Sequence, residues 1–155
     1  MELSRNLRVD SVSRLQPTAP RRVEAETPIS DVVEYMRQER VGCILVCENT
    51  KLVGIFTERD LLLRVLAPAV PLTSPVRLVM TPDPVTVQPM DSIRTAIQRM
   101  ESGAYRHLPV IDDTHRPVGI LSIKRIVHYL VEHFPSTVYN LPPDPEVVPH
   151  EREGA

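Results

Sequence analysis

The chain of 155 residues has no tryptophan, an aromatic content of 4% and no long apolar run. A transmembrane helix needs about 18 or more apolar residues, so none is expected. The first ten residues contain no apolar stretch that would serve as a secretory signal. The formal net charge of −2 argues against a general nucleic-acid binder, which is usually basic. We therefore expect a cytoplasmic protein without a membrane or nucleic-acid partner.

Cysteine is also scarce. Cys43 and Cys47 lie four residues apart in an apolar run, which favours buried thiols in a reducing compartment over a disulfide. No second pair of ligands is spaced to complete a zinc site, so no metal is expected. The sequence supplies neither an activated nucleophile nor a pair of carboxylates across a cleft, and an enzyme is therefore the weakest class. We expect a protein that is not an enzyme and requires no cofactor.

What the sequence does contain is an internal repeat. Apolar residues recur at i, i+3, i+4 and i+7 over residues 29–36, and the same pattern returns 64 residues later over residues 93–100. This spacing predicts two helices, each with one apolar face. Thr27 and Asp91 precede them at the same offset and are predicted as N-caps, with Pro28 in the first helical position.

The repeat continues on both sides of these helices. Val23 and Val87 mark short strands before them, and strand pairs follow at 43–47 and 52–57, then at 107–111 and 117–122. Apolar helices over residues 58–67 and 123–134 complete the two β-α-β-β-α units. A unit of about 60 residues buries little surface alone, so the two are predicted to pack about a pseudo-twofold axis. A further short helix is expected at about residues 7–15, matching residues 76–80.

Three stretches carry a family resemblance: GIFTERDL at 54–61, VMTPDPVTV at 79–87 and YRHLPV at 105–110. In this order and within the repeat, they resemble a tandem pair of CBS (cystathionine β-synthase) domains, also called a Bateman module. The expected fold is α/β (α+β). We expect an N-terminal segment at 1–9, CBS domains at 10–70 and 71–134, and a Pro-rich acidic tail at 135–155. The tail is read as extended and non-core, or as docked through residues 139–141.

The resemblance implies a function. It predicts a free-standing regulatory module that binds AMP, ADP, ATP or S-adenosylmethionine in the cleft between its domains and signals to an unidentified partner protein. It also favours a homodimer. The alternative is an interaction or dimerisation module whose ligand sites have decayed.

Thr57 and Asp60 are the strongest candidate site residues. On spacing alone, Thr-x-x-Asp favours a helix-capping box, while a carboxylate there can also accept hydrogen bonds from two ribose hydroxyls. The resemblance places both at ribose-binding positions and sets Arg106 and His107 near a phosphate. Without it, Arg106 is better read as solvated and His107 as an ordinary strand residue. The other residues that the resemblance assigns to this site are Ile55, Val85, Thr86, Tyr105 and Pro109.

The second unit departs from the pattern. Ser122 keeps the hydroxyl, but Arg125 stands where the first unit has Asp60, and arginine accepts no hydrogen bonds. Either this second site is empty, or Lys124 and Arg125 meet a phosphate. We favour an empty or weak second site, and hence one good site per chain. The residues assigned to it are Arg22, Gly42, Cys43, Ser122, Lys124 and Arg125.

Overall fold

The computed structural model describes residues 2–134, and the repeat folds into two units there. The first contains β1 (Arg22–Glu24), α2 (Ile29–Glu39), β2 (Cys43–Glu48), β3 (Lys51–Thr57) and α3 (Glu58–Asp60), which continues as a π-helix over Leu61–Leu66. The second contains α4 (Ile93–Gly103), β5 (His107–Ile111), β6 (Pro117–Ser122) and α5 (Ile123–His133). The predicted tail lies outside the described residues.

The two sheets differ in size. β2 pairs antiparallel with β3 and parallel with β1, and β4 (Thr81–Pro82) adds to the other edge of β3. The second sheet has two strands, β5 and β6. The predicted strand at Val87 is reduced to a single parallel bridge with Val110. The next bonds of such a ladder would need the N–H groups of residues 89 and 109, and both are prolines, so the pairing stops at this bridge.

The predicted helical faces are confirmed, because α2 and α4 bury matching positions of the repeat. These positions are Ile29, Val32 and Met36 in α2, and Ile93, Ala96 and Met100 in α4. No helix within residues 2–134 is long and apolar enough to cross a membrane.

The predicted N-caps, in contrast, are wrong by one residue. Pro28 occupies the cap position of α2, and the carbonyl of Ser74 in the segment between the units accepts from the Ile29 N–H at 2.9 Å. Ser92 caps α4 through the N–H of Thr95 at 3.1 Å. Asp91 instead accepts from the N–H of Gln88 at 2.8 Å. A Pro at the first helix start leaves the capping to carbonyls from distant segments, which the local pattern does not indicate.

The N-terminal segment packs on the second unit. It forms α1 (Glu2–Val9) and a 3₁₀ helix (Val12–Leu15), where one helix over about 7–15 was expected. Val12 and Leu15 are buried in the core of the second unit. The Tyr129 hydroxyl of α5 donates to the Asp10 carboxylate, which fixes the segment there.

The segment between the units makes the reciprocal contact. Val76 and Val79 are buried in the core of the first unit, and β4 extends its sheet. Each unit is therefore completed by the segment that precedes the other one. A separate apolar cluster spans both units, and its members are Leu45, Leu52, Ile55, Ile111 and Ile120. This exchange fixes the relative position of the β3 and β6 ends, where the candidate site residues lie.

Candidate functional site

Thr57 and Asp60 form a reciprocal capping box at the junction of β3 and α3. The Thr57 side-chain oxygen accepts from the Asp60 N–H at 3.2 Å, and Asp60 Oδ2 accepts from the Thr57 N–H at 3.0 Å. The structural role suggested by the spacing is thus present. It also holds the carboxylate in one orientation at a strand end.

The Asp60 carboxylate is bound to the segment between the units as well. Asp60 is only 8% exposed. Thr81 donates its hydroxyl to Oδ1 at 3.3 Å, and Arg64 Nε lies 3.6 Å from the same oxygen. Arg64 also donates to the carbonyl of Met80 at 2.9 Å. A carboxylate has about four acceptor positions, so an incoming diol has to share or replace these contacts.

A cavity of about 640 Å³ opens between the two units, a volume in the range of small-molecule sites. The first unit and its preceding segment contribute residues from 16 to 43, and the second unit contributes β5, β6 and the start of α5. Its lining residues are Gln16, Pro17, Thr18, Ala19, Arg21, Arg40, Val41, Gly42, Cys43, His107, Ile120, Ser122 and Arg125.

The charge of this lining is positive. Arg21, Arg40 and Arg125 line the cavity, and no aspartate or glutamate among residues 2–134 does. Glu39 balances Arg21, because its Oε1 lies 2.8 Å from the Arg21 Nε. Within residues 2–134, the Arg125 and Arg40 guanidinium groups have neither an ion-pair partner nor a hydrogen-bond acceptor. The described lining is therefore net positive, and the nearest further acid is Glu58, whose carboxylate lies against Gly42.

The cavity unites most of the residues predicted for the second site. Gly42, Cys43, Ser122 and Arg125 line it, whereas Arg22 and Lys124 do not. His107, predicted for the first site, also lines it, because β5 pairs His107 with Ser122.

Some lining residues were missed by sequence reasoning. Arg40 follows the end of α2 in a left-handed conformation with φ of 55°. The stretch of residues 16–19 pairs with β6 through Thr18 and Ile120. The only sequence signal for Arg40 is its position just before Val41 and Gly42.

The other residues predicted for the first site contact different parts of the structure. Ile55 packs against the cluster between the units, and the Pro109 carbonyl accepts from the Val87 N–H at 3.0 Å. The Thr86 carbonyl accepts from Arg99 at 2.6 Å, while Val85, Tyr105 and Arg106 are exposed. Within residues 2–134, no hydrogen bond or ion pair joins Tyr105 or Arg106 to the capping box. Their assignment to a nucleotide site stays a prediction.

Two titratable groups in the cavity wall have shifted pKa values. Burial raises the pKa of the Cys43 thiol to about 12, with a smaller contribution from the Asp60 charge. Cys43 is therefore a protonated thiol, and its predicted burial, like that of Cys47, is confirmed. Desolvation, and then the nearby Arg106 charge, lower the pKa of His107 below its ordinary value. Among residues 2–134, no cluster of three or more His, Cys, Asp or Glu residues is arranged to hold a metal ion.

Comparison with known proteins identifies relatives across this region. A family model described as the CBS domain matches residues 12–67 and again residues 76–132. CBS domain-containing protein YhcV of Bacillus subtilis is 32% identical over 115 residues, which cover 74% of this chain and 81% of YhcV. CBS domain-containing protein CBSCBSPB2 of Arabidopsis thaliana is 34% identical over 119 residues, covering 76% of this chain. The match covers only 22% of CBSCBSPB2, and 14% of a meiotically up-regulated protein of Schizosaccharomyces pombe.

The fold also matches a solved structure. A CBS domain protein from Pyrobaculum aerophilum, complexed with AMP, superposes with a TM-score of 0.70 at 25% identity. The superposition covers 79% of this chain and 99% of that protein. With two matches to the family model in tandem and the same fold, the chain belongs to the CBS domain family as a CBS domain pair.

Proposed function

We propose that this protein is a regulatory module that binds an adenosine-containing ligand between its two units and signals the bound state to a partner protein. The observation that carries the proposal is the Asp60 carboxylate, which the Thr57 N–H holds at the end of β3 next to the cavity of about 640 Å³ between the units. The wall of this cavity meets the capping box, since β2 pairs Cys43 of the cavity with Thr57. The AMP complex of the Pyrobaculum relative supports adenosine as the recognised group.

Ribose recognition is assigned to Asp60. Its carboxylate is held at the strand end by the Thr57 N–H, and charge-assisted bonds from a ribose diol are stronger than those between neutral groups. We assign the facing side of the site to the residues predicted from the second unit: Val85, Thr86, Tyr105, Arg106, His107 and Pro109.

The same contacts provide a route for the signal. A diol at Asp60 competes with the Thr81 hydroxyl and with Arg64, which also holds the Met80 carbonyl. Ligand binding then alters the attachment of the segment between the units to the first unit. Such coupling requires that the ligand bind one conformation more tightly than the other.

Thermal unfolding with AMP, ADP, ATP and S-adenosylmethionine tests this function. A ligand at 100 times its dissociation constant adds about 2.7 kcal/mol to the unfolding free energy. Asp60→Ala should abolish the response to AMP. Asp113→Ala, at an exposed turn, should keep it. Absence of stabilisation by all four ligands at millimolar concentration overturns the proposal.

The second candidate function is an interaction module without a ligand. Exposed apolar side chains favour it: Leu62, Leu63 and Leu66 of the π-helix, and Ile123 and Val127 of α5, are 44–58% exposed. Residues 62 and 127 are equivalent positions of the repeat, so a second copy of the chain can cover both helices together. This is also the face we assign to a homodimer. Under this alternative, partner binding persists while every nucleotide fails to shift the unfolding temperature.

Sedimentation velocity tests the homodimer separately. Leu62→Glu should convert a dimer to a monomer, because it places charge in the apolar contact. Lys51→Glu, at the exposed first residue of β3 and outside this face, should leave the dimer intact. A wild-type protein that sediments as a monomer at tens of micromolar contradicts the assignment.

The buried thiols of Cys43 and Cys47 support a reducing, cytoplasmic location.

A further inference from the structure

We propose that the C-terminal tail, residues 135–155, binds along one face of α5, in a groove whose basic side chains attract the acidic residues of the tail. The groove is a cavity of about 290 Å³ between α5 and the 3₁₀ helix of the N-terminal segment. A tail bound there connects the last helix of the second unit to the segment that precedes the first unit. Its binding does not depend on the ligand of the proposed function.

The groove follows the length of α5. Residues 13–16 form one side of it, and the other side is formed by α5 positions at i, i+3, i+4, i+7 and i+8, which is one face of a helix. These positions are Arg125, His128, Tyr129, Glu132 and His133. They span about 12 Å at about 1.5 Å per residue. The groove therefore leads from the first turn of α5 to its last turn, where the tail begins.

The charge of the groove is positive on balance. Among residues 2–134, two arginines line it, Arg14 and Arg125, against one acid, Glu132, which pairs with His128 at 3.0 Å. Arg14 reaches Asp10 only at 4.0 Å and has a 59% exposed side chain, so this ion pair contributes little. The Arg125 guanidinium has no acceptor within the described residues. An acidic peptide can therefore bind both arginines without breaking a strong contact.

The tail carries the opposite charge. It contains four acids, Asp144, Glu146, Glu151 and Glu153, and one basic residue, Arg152. Its formal charge is therefore −3, whereas residues 1–134, with 17 basic and 16 acidic residues, have +1, which together give the −2 of the whole chain. The negative net charge of the protein thus lies entirely in the segment that leaves α5 beside the groove.

The tail is long enough to bind to its own α5. Ten residues separate His133 from Asp144, and an extended chain covers about 3.3 Å per residue, so the acids can reach about 30 Å from the end of the helix. Four prolines, at positions 142, 143, 145 and 149, restrict φ and reduce the conformational entropy lost on binding. The covalent connection also gives the tail an effective concentration on the order of millimolar at the groove.

The groove lies away from the face assigned to the homodimer. At about 3.6 residues per turn, Ile123 and Val127 project from largely the opposite side of α5 to His128 and Glu132. Both residues of the dimer face are exposed, at 44% and 51%. A homodimer formed through them leaves the groove open to the tail.

Paramagnetic relaxation in NMR spectra of the full chain tests this contact. A spin label on His150→Cys is selective, because Cys43 and Cys47 are only 3% and 1% exposed. We expect the label to weaken the amide signals of residues 13–16 and of the first turn of α5. Salt at about 1 M, where the Debye length is about 3 Å, should restore them.

Variants of both surfaces separate charge attraction from proximity. Arg14→Gln or Arg125→Gln should each lower the ratio of bound to free tail by roughly 2–5-fold, the range of an exposed ion pair. Arg94→Gln, at an exposed position of α4, is the matched control and should leave the ratio unchanged. Replacing the four acids of the tail together by Asn or Gln should abolish the effect, and this change leaves residues 1–134 untouched.

Three results would overturn the proposal. Signal loss confined to the last turn of α5 is what the covalent connection alone produces. Signal loss that persists in the neutral tail shows that charge does not hold the tail. Signal loss that appears only when spin-labelled chains are mixed with isotope-labelled ones assigns the groove to the tail of a second copy. Nucleotide binding is not part of this test, so failure of the proposed function leaves these expectations unchanged.

Discussion

Removing the Asp60 carboxylate should destabilise the protein in the absence of any ligand. Asp60→Ala deletes the acceptor of the Thr57 N–H at 3.0 Å and of the Thr81 hydroxyl at 3.3 Å, and leaves Arg64 without its ion pair at 3.6 Å. The remaining half of the capping box survives, because the N–H of residue 60 still reaches the Thr57 hydroxyl.

The magnitude follows from these contacts. Loss of a helix cap costs about 1 kcal/mol, and hydrogen bonds to a charged group contribute about 1.5–3 kcal/mol each. The variant no longer incurs the free-energy cost of desolvating the Asp60 carboxylate on folding, which offsets part of this loss. The expected net decrease in unfolding free energy is about 2 kcal/mol, which lowers the unfolding temperature by about 4–8 °C in a chain of this size.

Urea denaturation of the ligand-free protein measures this decrease, and the repeat offers a matched control. Arg125→Ala removes the equivalent side chain of the second unit, which has no such contacts within the described residues, so the change should stay within about 0.5 kcal/mol. A decrease below about 0.5 kcal/mol for Asp60→Ala would refute the structural role assigned to the carboxylate. Equal decreases for the two variants would refute the asymmetry between the units.

Three further changes test other parts of the structure. A Cβ at Gly54 would lie 2.3 Å from the Met80 sulfur, so Gly54→Ala should lower the unfolding free energy by about 1–3 kcal/mol in urea denaturation. The same change should have almost no added effect in a Met80→Ala background. Tyr129→Phe removes the hydrogen bond to Asp10 and should lower the unfolding free energy by about 1.5 kcal/mol. It should also speed proteolysis of the N-terminal segment, and unchanged proteolysis contradicts the role of this bond in attaching the segment to α5. Folding lowers the pKa of His107 below 6.5, so the unfolded state binds more protons near that pH, and the unfolding free energy should decrease from pH 7.5 to 5.5. In thermal unfolding, His107→Asn should show a smaller decrease in unfolding temperature over this pH range than the wild type. An equal decrease in the two proteins contradicts the pKa shift.

The elements that were predictable from sequence are those with local periodicity. The faces of α2 and α4 and the β2–β3 and β5–β6 pairs follow from apolar spacing, and the Thr57–Asp60 box follows from residue type at a strand end. The CBS domain family was recognisable for the same reason, since its motifs fall on these elements. Local signals of this kind act within a few residues of one another.

Features that depend on distant segments were not predictable. The carbonyl of Ser74 that accepts from the start of α2 lies 45 residues from its donor, Ile29, and the Asp10–Tyr129 contact spans 119 residues. Arg40 reaches the cavity wall because one residue in a left-handed conformation redirects the chain after α2. Nothing in the repeat indicates that the lining of the cavity of about 640 Å³ includes Arg125 but not Asp60.

The central claim is that an adenosine-containing ligand binds between the two units, and a crystal structure of the protein grown with AMP tests it most directly. We expect AMP in the cleft between the units, with its ribose hydroxyls bonded to the Asp60 carboxylate and the Thr81 hydroxyl displaced from Oδ1. A cleft without nucleotide at millimolar AMP, with the Thr81–Asp60 bond intact, would contradict it.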